Sequence, residues 1–230
     1  MRHGRPTGTE RRAADIVLAV LALGAVIAVI AIGQERQVAL AETYLSSEVR
    51  QLTRHRPLVP DPRPIALDQP RRLLLLEAQS RLYEAPFAAP AARAAMLDSA
   101  HRALRVAAAT PYGDGEAELA LAYLHAGRGN AAAMRAALAR SYAFAPYLRY
   151  AADWRVRQAF AHWRDLPSSA RRRSVDEAIW YVRLRAEYRE GIFSAARASP
   201  AYTRFLLALR QVRARDQDLR SFRGAGHRAP

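Results

Sequence analysis

The sequence predicts an all-α protein: a single N-terminal transmembrane helix followed by a solenoid of antiparallel helical hairpins. Three observations lead there. Ala and Leu dominate a chain that is 51% hydrophobic, a composition that favours helices packed through small side chains over a sheet. One uninterrupted apolar run lies near the N-terminus. From Pro70 onward, helix-sized segments alternate with Pro and Gly at regular intervals.

The apolar run, Ile16 to Ile32, reads IVLAVLALGAVIAVIAI, without a charged or strongly polar side chain. With its edges it gives a span over residues 13–33, near the ~20 residues that cross a hydrocarbon core. In lipid an unformed helix would strand backbone polar groups, so the helix is nearly forced. Arg2, Arg5, Arg11 and Arg12 precede it, whereas Glu35, Arg36 and Glu42 follow. The positive-inside rule therefore places residues 1–12 in the cytoplasm and the remainder across the membrane, in a bacterium in the periplasm. The rival reading is a cleaved signal peptide, but the run is long for a signal core and no small-x-small site follows it.

Residues 34–69 form a link. Gln37 to Arg56 reads as an amphipathic juxtamembrane helix with Leu40, Tyr44, Leu45 and Leu52 roughly on one side. Pro57, Pro60, Pro62 and Pro64 then break regular structure, and RPLVPDPRP reads as a stiff, extended spacer. A Pro-rich recognition motif is the alternative.

Residues 70–220 form the helical domain. Its segments are Arg71 to Glu84, Ala91 to Ala109, Glu116 to Ala126, Asn130 to Ala145, Tyr147 to Leu166, Ser174 to Glu190, a short piece, and Ala201 to Arg220. Pro86, Pro90, Pro111, Gly127, Gly129, Pro146, Pro167, Gly191 and Pro200 separate them. Short loops between consecutive helices require antiparallel pairs, and such pairs stack into a solenoid. Val156, Phe160 and Trp163, and likewise Ile179, Val182 and Ala186, follow helical spacing. Asp176 and Glu177 fall in the first turn of the segment from Ser174, where they suit the helix dipole. Residues 221–230, SFRGAGHRAP, read as a disordered tail.

Within this domain, Glu116 to Pro146 resembles a tetratricopeptide repeat. Leu119, Ala120 and Tyr123 stand at first-helix positions, Gly127 at the turn, Ala132 at the opening of the second helix's packing face, and Pro146 at the close. The ~34-residue spacing holds after about a two-residue slip near Ser141 to Pro146. The resemblance implies a tetratricopeptide-like fold and a protein-binding role. Residues 136–184 show a second resemblance, to small anchored accessory proteins of bacterial exopolysaccharide and O-antigen loci. It rests on Ser141, Pro146, Arg155, Trp163 and the Leu166–Pro167 break. It implies an accessory part in surface-polysaccharide assembly or export and supplies no catalytic residue.

The chain carries a formal charge of +15, and all 36 basic residues are Arg. A basic protein can bind nucleic acid, anionic lipid or an acidic polymer. A GC-rich coding bias also writes Arg in place of Lys, and the complete absence of Lys points that way. The charge is moreover spread along the chain instead of gathered into a nucleic-acid stripe. The chain has no Cys, which removes disulfides, thiolate metal sites and a Cys nucleophile.

Chemistry is hard to find. His3, His55, His101, His125, His162 and His227 include no i, i+4 pair and no HExxH, so no metal is expected. There is no GxSxG elbow, and a Walker loop needs a Lys. Glu116 with Glu118, and Glu187 with Glu190, sit among arginines that would hold them ionised, as Arg183 would hold Glu187. No enzyme activity and no cofactor are expected. Arg171, Arg172 and Arg173 are the candidate anion-binding group, because they precede the expected helix start, where the dipole does not explain them. Arg213, Arg215, Arg220 and Arg223 are a second basic set. The aromatic residues between Tyr142 and Trp163 either fill the core or floor a partner groove, and Tyr147, Tyr150, Trp154 and Trp163 are the groove candidates. The expectation is an envelope scaffold whose partners are membrane proteins, the polysaccharide-assembly machinery among them. The alternative is direct binding of an anionic glycan or lipid through an Arg-rich surface.

Overall fold

A computed structural model describes the backbone of residues 8–54, 58–109 and 113–225, with many side chains of the first 30 residues and of the last helix outside the described set. Its helices are α1 (Gly8–Thr53), α2 (Arg71–Glu84), α3 (Pro90–Ala108), α4 (Gly115–Gly127), α5 (Ala131–Phe144), α6 (Ala152–Ala161), α7 (Ser168–Leu184), α8 (Arg189–Arg197) and α9 (Tyr202–Ala225). Short 3₁₀ turns occupy Ala85–Phe87, Trp163–Asp165 and Ala186–Tyr188. The described residues contain no strand, and the fold is all-α and helical-repeat-like.

Local chemistry starts and stops these elements. Pro90 opens α3, where a missing N–H costs nothing. The Asp114 carboxylate accepts the N–H groups of Glu116 and Ala117 at 2.9 and 3.0 Å and so caps α4. Gly129, at φ 70°, makes the left-handed turn between α4 and α5, and Asn130 caps α5 through the Ala133 N–H. The α2/α3, α4/α5 and α6/α7 pairs form hairpins, and α3 against α4 stacks the first on the second. Opposed ends show the antiparallel sense: Arg71 at the start of α2 donates to Ala107 O at the end of α3, and Arg140 of α5 reaches back to Glu118 of α4.

Small residues set the spacing. On α3, Met96, Ser99, Ala100, Ala103, Leu104 and Ala107 are buried at helical intervals. Ala100, Ala103 and Ala107 are wholly covered, so neighbouring helices come close, while Met96 and Leu104 each contribute roughly 1.5–3 kcal/mol of burial. One apolar cluster runs through α2 to α5, and a second joins α6, α7, α8 and α9 around Phe160, Ile179, Ile192 and Phe205.

Arginine completes helix ends. The last carbonyls of a helix lack intrahelical donors, and a guanidinium can supply them. Arg71 caps α3 in this way, Arg93 donates to the carbonyls of Ala85, Pro86 and Ala88 after α2, and Arg173 donates to those of Tyr142 and Ala143 at the end of α5. Part of the chain's large positive charge is therefore structural.

Several expectations are corrected. The expected juxtamembrane helix is continuous with the helix before it, because Gly33 and Gln34 do not interrupt α1. Its packing face also differs: Val38 and Glu48 are buried with Ala41 and Leu45 partly so, whereas Leu40 and Tyr44 are exposed. The Pro-rich stretch is no free spacer from residue 58 on. Leu58 and Ile65 are buried, and the N–H groups of Asp61 and Ile65 donate to Glu84 and Ser99 at 2.8 Å. Pro57 lies outside the described residues. Helix α7 begins at Ser168, six residues early, because Pro167 serves as its N-cap. It ends at Leu184, so Arg183 pairs with Asp216 of α9 at 2.8 Å instead of with Glu187. The expected tail is helical to Ala225, and residues 226–230 lie outside the described residues. The span expected at 13–33 lies within α1, but most of its side chains are outside the described set. Among the described residues no helix is long and apolar enough to cross a membrane.

A buried polar knot fastens α1 and the Pro-rich segment to α2. Ser80 Oγ lies 2.7 Å from a Glu48 oxygen and 3.0 Å from a Glu84 oxygen. A hydroxyl has one proton, so two ionised carboxylates would set lone pair against lone pair at one of those contacts. Glu84 already accepts from Arg81 and from the Asp61 N–H, and Glu48 takes the proton. Burial and the adjacent Glu84 accordingly push Glu48 up to about 7 from 4.5. The folded state then keeps a proton that an undocked Glu48 releases between those values. Docking of α1 is strongest below the window and weakens as pH rises through it. Hydrogen exchange over residues 38–50, corrected for intrinsic rate, is expected to be faster at pH 8 than at pH 5. Glu48→Gln is expected to abolish that difference; an unchanged pH response would disprove the assignment.

Candidate functional site

The expected groove residues are not brought together as one surface. Trp163 is buried, packed on Phe160 with ring centroids 6.2 Å apart. Tyr147 tilts against Trp180 at 5.3 Å, and Tyr150 stands 86% exposed. Trp154 faces elsewhere: it is half-buried, with its ring 5.5 Å from that of Tyr123 on α4. Tyr123 in turn neighbours Tyr83 on α2, whose phenol is pushed above its usual range first by burial and then by Tyr123. Exposed Tyr83 and Tyr123 and half-buried Trp154 thus lie on the first helices of three successive hairpins, with Tyr123 and Trp154 in ring contact. The sequence reading misses Tyr83 and gives Tyr123 only a repeat position. The signal is present, since both stand near the end of the first helix of a hairpin.

The repeat positions are only partly as expected. Leu119 and Ala120 are buried, but Ala132 is exposed, and Met134, Ala137 and Leu138 form the packing face of α5. Gly127 meets nothing within 4 Å of an added Cβ. Gly115 is crowded: a Cβ there would stand 2.4 Å from that of Ala145.

The three candidate anion-binding arginines separate. Arg173 is spent on the carbonyls that end α5. Arg171 and Arg172 line a cleft of about 690 Å³ between α7 and α9, joined by Arg204, Trp163, Asp176 and Leu207. The Arg171 guanidinium lies over the Trp163 ring, 5.8 Å from its centroid. Sequence reasoning misses Arg204, which α9 delivers from a separate segment. Arg213 and Arg215 are exposed on α9, and the side chains of Arg220 and Arg223 lie outside the described residues.

Other ionisable groups are structural in their contacts. Glu118 is buried and pairs with Arg140 at 2.7 Å, Glu187 pairs with Arg185, and Glu190 pairs with Arg197. The His101 and His125 rings meet edge-on at 5.4 Å, and burial lowers both from the ordinary histidine range, helped by nearby arginines. Among the described residues no group of three His, Asp or Glu is placed to hold a metal ion.

At the junction of the two cores lies a pair that the sequence reading does not propose as paired. Arg155 and Glu177 have no exposed side-chain surface, and the Arg155 Nε lies 3.4 Å from a Glu177 oxygen. The Arg155 guanidinium also stacks 3.8 Å from the centroid of the buried Tyr142 ring and donates to Ala145 O. Glu177 accepts the Leu148 N–H at 2.9 Å. Burial pushes Glu177 up to about 7, while Arg155 and the Leu148 N–H pull it down. The expected role of Glu177 at a helix start is thereby corrected: it lies in mid-helix. Arg155 occupies the core spacing Ala152, Arg155, Val156, Ala159, Phe160, and that placement is readable in the sequence. These contacts tie α5, α6, α7 and the 145–151 connection together. Comparison with family models, curated proteins and solved structures finds no match to this chain.

Proposed function

We propose that this chain is a membrane-anchored adaptor of the bacterial envelope. Residues 13–33 span the inner membrane, and a tetratricopeptide-like domain in the periplasm holds a partner membrane protein. The observation that carries this reading is the Tyr83, Tyr123, Trp154 row. Surface-facing aromatic side chains, some exposed and some half-buried, on a rigid helical-repeat face are the residue type that anchors partner segments. The charge asymmetry around residues 13–33 supports the orientation. The partner is a segment bearing apolar side chains, and the resemblance of residues 136–184 favours one from surface-polysaccharide assembly or export.

The test is a photo-crosslinking residue at Tyr123 in the full-length protein in native membranes, with Arg102 as control position. Position 123 is expected to give a discrete adduct with an inner-membrane protein of polysaccharide assembly, and position 102 none. Trp154→Ala should reduce the adduct at least tenfold, since a well-packed aromatic anchor is worth about 2 kcal/mol or more. Equal labelling at both positions, or an adduct indifferent to Trp154→Ala, would overturn the assignment.

A further inference from the structure

We propose that the cleft between α7 and α9 binds an organic phosphate, with Arg171, Arg172 and Arg204 holding the phosphoryl group. The guanidinium groups of these three residues make no hydrogen bond or ion pair among the described residues, and they converge on one cleft, whereas Arg71, Arg81, Arg93, Arg140, Arg155 and Arg173 are committed to carboxylates and helix ends. Arg171 Nε is buried without a partner. Among the described residues Asp176 is the one acidic side chain in the lining, so the positive charge there is not neutralised. Helix position sharpens the point. Arg171 and Arg172 follow shortly after Ser168, at the positive end of the α7 dipole, where basic side chains are disfavoured unless an anion is near.

Chemistry and size select the ligand class. Planar guanidinium forks bond phosphoryl oxygens in pairs, and a phosphate monoester brings close to two negative charges to meet three cations. At about 690 Å³ the open cleft has room for a small organic molecule, far more than inorganic phosphate fills. Trp163 and Leu207 give it an apolar side against which the body of the ester can lie. The cleft shares no residue with the aromatic row, so this site is independent of the adaptor's protein partner.

A phosphosugar and a phospholipid headgroup both present this chemistry, and the experiment distinguishes them. Full-length protein in phosphatidylcholine nanodiscs is titrated calorimetrically with a hexose 1-phosphate, the free hexose and inorganic phosphate. In a second arm, detergent-solubilised protein is mixed with phosphatidylglycerol and the retained lipid is counted by native mass spectrometry. The variant Arg172→Gln/Arg204→Gln is run in both, because these two exposed side chains can be changed without opening the core; an unchanged melting temperature verifies this. A hexose 1-phosphate bound at least tenfold tighter than inorganic phosphate, and weakened at least tenfold in the variant, supports the site with a soluble ligand. Phosphatidylglycerol retained by wild type and lost in the variant supports it with a lipid source. Absence of binding in both arms, free hexose bound as well as its phosphate, or affinity undiminished in the variant overturns it.

Discussion

Arg155→Met is expected to destabilise the domain by about 3–5 kcal/mol, the usual cost of removing one partner from a buried ion pair. The substitution leaves Glu177 without exposed surface and without its cation, and it removes the guanidinium from the Tyr142 ring. Methionine fills most of the volume, so the loss reflects charge more than a cavity. The double variant Arg155→Met/Glu177→Gln is expected to recover most of the stability. Glutamine is uncharged and still accepts the Leu148 N–H that Glu177 now accepts. The measurement is the thermal or urea transition followed by circular dichroism. Glu177 also sets a sign with pH. Because burial raises it to about 7 from 4.5, the folded state binds the extra proton, and its contribution to stability falls as pH rises through that window. Equal loss in the single and double variants would show that packing, not the unpaired carboxylate, dominates.

Arg81→Met is expected to act on the other end of the molecule with a similar cost, about 3 kcal/mol for breaking a buried charged network. Arg81 joins Glu84 at 3.0 Å and Asp61 at 2.9 Å, and Glu84 is fully buried. Without the guanidinium, two carboxylates and the protonated Glu48 face each other, and the hold on residues 58–65 and on the C-terminal part of α1 weakens. Hydrogen exchange should rise together over residues 38–50 and 58–65, while α6 to α9 keep their protection. Exchange that rises uniformly over the domain would mean that the knot supports the whole fold instead of the docking of α1.

These two sites also show what is legible in the sequence. Helix α2 is readable at both ends, because Pro70 and Pro86 remove donors and fix φ where a helix must start or stop. The start of α7 is harder to read for a related reason. Pro167 reads as a stop, although a proline at the threshold of a helix also begins one, and Arg171 to Arg173 are helical in consequence. The phase of α1 and the fate of the Pro-rich stretch depend on Glu84, Ser80 and Ser99, residues far along the chain. No local pattern carries such pairings. Arg155 stands at a core position in plain view, but its partner lies in the next helix and becomes a partner only through packing. The cleft is half-legible: two of its arginines are adjacent in sequence, while Arg204 arrives from α9.

The aromatic row teaches the same point from the surface. Tyr147, Tyr150, Trp154 and Trp163 crowd together in sequence, yet only Trp154 lies on α6: Tyr147 and Tyr150 belong to the connection before it and Trp163 to the turn after it, and they meet different neighbours. Trp154 instead meets Tyr123 of the preceding hairpin. Sequence proximity identifies an aromatic-rich segment, whereas a repeat fold builds a face from side chains of successive units.

The adaptor reading requires that the helical domain be held across the membrane from residues 1–12, and the absence of native Cys makes that topology directly measurable. Single cysteines are introduced by Thr9→Cys and, separately, by Ala132→Cys, the latter on the exposed side of α5. Intact bacterial spheroplasts are then treated with a membrane-impermeant maleimide. The anchored topology predicts that the thiol at position 132 is labelled in intact spheroplasts, and that the thiol at position 9 is labelled only after the membrane is permeabilised. Labelling at position 9 in intact spheroplasts with protection at position 132, or recovery of the protein in the soluble fraction after alkaline extraction, would refute it.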